Sequence, residues 1–206
     1  MQMLSRTASD AGLLLVVCFT ALGLRSSLAA DRTPLVQRWP AEARVYFNGT
    51  STLHDFGGNL SAEPFDIVVS NRTWFASVDV LSGQMATANE KRDRNMYQML
   101  GTNQYPHIHG DVANAPLLAN GASATNVALQ LKIRDQATAL PANIRDWRLT
   151  DSELRFRAAW SLSLKQYGLK PPSVAGIIRV GDRVELQAEV VARIKPQESG
   201  APPKSP

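Results

Sequence analysis

The stretch LRFRAAWSLSLK, running from Leu154 to Lys165, decides the fold. Leu154, Phe156, Ala158, Trp160, Leu162 and Leu164 take every second place, and Arg155, Arg157, Ala159, Ser161, Ser163 and Lys165 stand between them. Successive side chains of an extended chain project to opposite faces, so the spacing predicts one long strand with a greasy face and a solvated one.

The same period recurs on both sides of it. Val184, Leu186, Ala188, Val190, Ala192 and Ile194 alternate with Glu185, Gln187, Glu189, Val191 and Arg193. Val127, Leu129, Leu131 and Ile133 alternate with Ala128, Gln130, Lys132 and Arg134. Further strands are predicted over Arg44 to Asn48, Phe65 to Val69, Thr73 to Val80, where Trp74, Ala76, Val78 and Val80 share a face, and His107 to Val112. Gly181-Asp182, between Ile177-Ile178-Arg179-Val180 and the last strand, predicts a two-residue hairpin with glycine at its first turn position. One segment breaks the period. After Asn89, a capping residue, Met96, Met99 and Leu100 fall at i, i+3 and i+4 before Gly101, which predicts a single short helix.

Long one-sided strands that follow one another leave fewest unpaired edges when the sheet closes on itself. The expected fold class is therefore all-β with one short helix, an antiparallel β-barrel. No internal repeat is present, which disfavours solenoids and propellers.

The chain has 206 residues, 44% of them apolar, enough for one domain with a sizeable core. Arg6, the uncharged run from Ala11 to Leu24, and then Ser26, Ser27, Ala29 and Ala30 have the order of a secretory signal peptide over residues 1–30. That run is shorter than the roughly 20 residues a membrane-spanning helix needs. Cys18, the single cysteine, lies inside the run and is lost with it, so no disulfide forms in the mature protein. Acylation of Cys18 is disfavoured because Val17 stands where a small residue is usual. Removing Arg6, Arg25 and Asp10 takes the net charge from +4 to +3, too mild to argue for nucleic acid. An exported, periplasmic address is expected, with the domain at 34–196 and a disordered, proline-rich tail at 197–206.

No phosphate loop, nucleophile elbow, HExxH pair or CxxC pair is present, so neither an enzyme nor a cofactor is expected. His107 and His109 project from one strand face and could grip a metal if His54 or Asp111 joined them. This makes a metal-binding or redox accessory protein the alternative reading. Ile108, Gly110 and Val112 form the apolar set of that strand, however, which places His107 and His109 on a solvated outer face. His54 and Asp55 are adjacent and point apart, against a catalytic dyad; a buried structural His54 partnered by Ser51 or Thr52 is the expectation. The run Glu90-Lys91-Arg92-Asp93-Arg94 reads as a solvated, salt-bridged first turn, with a head-group or phosphate site as the other reading.

Three blocks carry a resemblance: GTSTLHDFGG (49–58), ATANEKRDRNMYQML followed by NQYPHI (86–108), and the late strands. With Arg92-Asp93 before the helix and Tyr105-Pro106 opening a strand, the chain resembles the YceI-like family over residues 42–194. The resemblance implies an extended, lipocalin-like barrel that holds an isoprenoid, quinone or fatty amphiphile, with no enzymatic activity and, by analogy, a homodimer. The chain departs from the family pattern around Gly57 to Leu60 and near Gly110, where an aromatic residue is frequent. Residues expected to line the interior are Val78, Val80, Ile108, Val112, Leu129, Leu131, Phe156, Trp160, Leu162 and Leu186. For the exported protein, intact mass should show a chain beginning at Ala30 or Asp31; retained, acylated Cys18 would contradict the cleavage reading.

Overall fold

The computed structural model describes residues 36–171, 173–174 and 178–194. The expected signal peptide and the tail at 197–206 lie outside them. Along the chain run β1 (Gln37–Ser51), β2 (Phe56–Ser61), β3 (Phe65–Ser70), β4 (Thr73–Leu81), α1 (Glu90–Leu100), β5 (His107–Pro116), β6 (Thr125–Ile133), β7 (Gln136–Leu149), β8 (Glu153–Ser163), β9 (Ser173–Val174) and β10 (Ile178–Arg193).

Every strand pairing is antiparallel, and neighbours in the sheet are mostly neighbours in sequence. β2 and β3 lie end to end along one edge of β1, Arg44 opposing Ser61 and Gln37 opposing Val69, so together they form one stave. β9 adds only two residues beside β10. The other edge of β1 pairs with β10 from Ala41–Ala192 to Ser51–Val180, and this closes an eight-stranded barrel.

Burial follows the alternation. In β1, Trp39, Ala41, Ala43, Val45 and Phe47 are buried while Pro40, Glu42, Arg44 and Asn48 are exposed. β8 buries Leu154, Phe156, Ala158 and Leu162 and exposes Arg155 and Arg157. This strand stops at Ser163, two residues before the predicted end. The Ser163 hydroxyl accepts from the Gln166 amide and starts a 3-10 turn over Leu164–Tyr167, which ends at Gly168 in the left-handed region.

The hairpin expected at Gly181-Asp182 does not form, because β10 runs straight through it. Between Val180, opposite Ser51, and Val184, opposite Gly49, β10 bulges. Ser163 Oγ donates to Asp182 Oδ2 at 2.6 Å and the Lys165 amide donates to Asp182 Oδ1 at 2.9 Å, so the aspartate ties the bulge to the end of β8. Gly181 is there because a Cβ would collide with Thr50 Oγ1, and its φ is not positive.

β7, absent from the predicted strands, contains a phase change. Ala142 and Ile144 face inward, but at Asp146, whose φ is 56°, an extra residue is inserted between the pairs Arg145–Arg157 and Arg148–Arg155. A bulge of this kind shifts the period by one. Trp147, which strict alternation would send outward, is therefore buried. It stacks on Phe156 at 5.3 Å and lies 6.4 Å from Trp74, itself 5.6 Å from Phe156. These rings pack one end of the barrel solid. Trp147→Ala should cost about 3–5 kcal/mol of stability, read from denaturant midpoints; a loss under about 1 kcal/mol would show that this end is loosely filled.

Candidate functional site

Above the aromatic cluster the barrel is hollow, with a cavity of about 440 Å³. The space exists because Ala43, Ala76, Ala142, Ala158, Ala188 and Gly110 stand on the wall where larger residues would meet across the lumen. A volume of several hundred Å³ is typical of small-molecule sites.

The ten residues expected to line the interior all stand on this wall. Leu129, Leu131, Phe156 and Leu162 are buried in its packing, whereas Val78, Val80, Ile108, Val112, Trp160 and Leu186 are only half-buried although they face inward. Inward apolar groups that stay partly accessible are facing the cavity. The Trp160 Nε1 is buried with no acceptor among the described residues, whereas the other indole on the wall, Trp74, donates to the Pro116 carbonyl at 3.2 Å.

Where β7 and β8 part beyond Asn143–Ala159, no ladder joins them, and Leu164 and Leu169 complete the wall there. Pro141 sits in this unpaired length of β7, where its missing N–H leaves no β8 partner unsatisfied.

Apart from the two indole N–H groups, the polar side chains on the wall come from two segments. Ser51 and His54 belong to the end of β1 and the loop after it, and Asn89, Lys91, Arg92 and Asn95 belong to α1 and its cap. Asn89 Oδ1 accepts from the Arg92 amide at 3.0 Å to start the helix, and Gly101, at φ 66°, ends it. Met96, Met99 and Leu100 turn to the cavity, and Tyr97 Oη donates to the Met85 carbonyl at 2.6 Å. Asp93 Oδ1 accepts from both the amide and the hydroxyl of Thr87, at 3.0 and 2.5 Å, which anchors the segment before the helix.

Glu90 pairs with Arg94 at 3.5 Å, in keeping with the expected salt-bridged turn. Lys91 and Arg92 depart from it. Neither has an acidic partner among the described residues, and the Arg92 guanidinium lies 5.0 Å from the centre of the Phe56 ring, another wall residue. The expectation of a buried His54 is also corrected: its side chain is exposed. What organises this turn is the His54 backbone, because Ser51 Oγ donates to its carbonyl at 2.6 Å and its amide lies 3.3 Å from the same hydroxyl. The segment has no regular strand beyond Ser51 to bury the ring.

His107 and His109 are on the outer face of β5. His109 Nδ1 is 2.8 Å from Asp79 Oδ1 and its Nε2 is 3.0 Å from Asp111 Oδ2. His107 turns instead to Glu63, at 3.6 Å. Both nitrogens of His109 are thus engaged, and among the described residues no group of three His, Cys, Asp or Glu is set to hold a metal ion.

No protein-family model matches the sequence, and no curated protein does. Solved structures do. The chain superposes on a polyisoprenoid binding domain from Saccharophagus degradans implicated in plant cell wall breakdown, with a TM-score of 0.59, 14% identity, and coverage of 78% of this chain and 100% of that one. It superposes on BcnA of Burkholderia cenocepacia with a TM-score of 0.58, 12% identity, and coverage of 73% and 96%. The fold is YceI-like.

The hydrogen bond to Asp79, with the charges of Asp111 and Asp79, raises the His109 pKa above its usual value of 6.5 against an opposing effect of burial. A raised folded-state pKa stabilises the fold below the unfolded value and ceases to do so as pH rises through the folded one. The imidazole is 34% exposed, so the contribution is small, under about 1 kcal/mol. His109→Gln should therefore lower the unfolding midpoint relative to the parent at about pH 6, and the gap should close by about pH 9. A gap that persists or widens at high pH would contradict the assignment.

Proposed function

We propose that this protein is an exported, periplasmic carrier that holds one apolar amphiphile, of the isoprenoid, quinone or fatty class, inside the barrel and performs no chemistry on it. The observation that carries this reading is the cavity: a greasy lumen, solid at the aromatic end, with its polar side chains gathered at the end where Ser51, His54 and α1 meet. Filling such a lumen removes apolar wall from water at roughly 25 cal/mol per Å². The S. degradans domain of the same fold is described as binding a polyisoprenoid, which supports the ligand class. The order of charge, apolar run and small residues at the N-terminus supports export.

Organic extraction of the purified protein, followed by mass spectrometry, should release a lipid in near-stoichiometric amount; a protein that yields none and binds no quinone or polyprenyl analogue would overturn the proposal. Trp160→Ala should weaken such an analogue by about 1–3 kcal/mol, read by titration, because contact area on the wall is lost. Gly110→Phe tests the same lumen from the opposite direction. A Cβ at Gly110 meets Leu129 at an ordinary 3.4 Å, so the backbone tolerates a side chain there and the ring extends into the cavity. That variant should fold and lose binding by tenfold or more; full affinity in the folded variant would place the ligand elsewhere.

A further inference from the structure

We propose that the ligand carries an anionic head, a phosphate or carboxylate, and that Lys91 and Arg92 bind it. This rests on the reading of the barrel as a carrier of an apolar chain and specifies what the other end of that chain must be. Cations that serve only the fold are normally paired or fully hydrated. Arg92 is neither: it is half-buried on the cavity wall against Phe56 and has no acidic partner among the described residues.

The acids nearest in sequence do not neutralise the pair. Asp93 is held by Thr87 and Glu90 pairs outward with Arg94. Asp55 is exposed and is not part of the wall. The side-chain amide of Asn95 stands on the same polar stretch of wall and adds a neutral hydrogen-bond donor. Lys91 is exposed beside Arg92, so its own charge is hydrated. A neutral head such as a quinone ring or a fatty alcohol would leave the half-buried Arg92 uncompensated, while a phosphate or carboxylate accepts charge-assisted hydrogen bonds from it and from Lys91 within reach of the same wall. The apolar wall behind the pair lowers the local dielectric and strengthens that attraction.

The test compares dodecyl phosphate with dodecanol below their aggregation limits, by calorimetry and intrinsic fluorescence, with inorganic phosphate as a third probe. The parent protein should bind dodecyl phosphate about tenfold or more tightly than dodecanol. In the Lys91→Gln/Arg92→Gln variant the ratio of the two affinities should fall to about threefold or less, and Arg92→Lys should restore part of it. Equal affinities in the parent, or a preference that survives in the double variant, would overturn the proposal while leaving the carrier reading intact. Inorganic phosphate binding as tightly as dodecyl phosphate would also overturn it, since the cations would then serve a free anion. If neither dodecyl compound binds, the carrier reading fails first and this inference with it.

Discussion

The ladder between β1 and β10 is the constraint on which the rest of the structure depends. Two long strands, one at each end of the domain, pair from Ala41–Ala192 to Ser51–Val180, and β10 also pairs with β8 from Arg193–Glu153 to Arg183–Ser163. Without that seam the sheet would present two long open edges, and the inward faces of β1 and β10 would have nothing to enclose. With it, every alternating strand turns its apolar set to a common interior. On its inner side the seam alternates small residues, Ala41, Ala43, Ala188 and Ala192, with larger ones, Val45, Phe47, Leu186 and Val190.

Filled and hollow regions of the barrel follow from residue size. Trp39, Trp74, Trp147 and Phe156 close one end, and alanines with Gly110 hold the middle open. Interiors normally pack close to crystal density. A wall of small residues around an apolar space departs from that rule in an ordered way, since the gap is continuous and bounded by one polar end. A chain of the kind proposed would gain burial along its length and meet a stop at the aromatic rings, with its polar end beside α1.

Much of this was legible in the sequence where alternation ran unbroken. β6, β8 and the main body of β10 were readable, and so was α1 with its Asn89 cap and Gly101 stop, because each rests on local periodicity or local hydrogen bonding. β7 was not, since Asp146 shifts the phase and turns Trp147 inward, and β2 was not, since Phe56-Gly57-Gly58-Asn59-Leu60-Ser61 is too short and glycine-rich to show a period. Gly181-Asp182 has the composition of a turn, but Ser163 and the Lys165 amide, far away in sequence, claim Asp182 for a bulge. The lining residues could be named from strand parity alone. The position of Lys91 and Arg92 could not, because it depends on Phe56 and α1 meeting across the polar end of the barrel.

β5 shows how much rests on register. Ile108, Gly110 and Val112 stand on the cavity wall, while His107, His109 and Asp111 face outward to Glu63 and Asp79. A slip of one residue would exchange the two sets, putting ionisable groups into a lumen that has no partners for them and apolar ones into water. Two features hold the register. The Asp79–His109–Asp111 cluster ties β5 to β4 on the outside, and a bulge near Asn114, at φ 54°, changes phase so that Ala115 still turns inward beside Trp74. The histidines that a sequence reader would nominate for metal chemistry thus lie on the outer face, where their contacts help to keep the opposite side of the strand apolar.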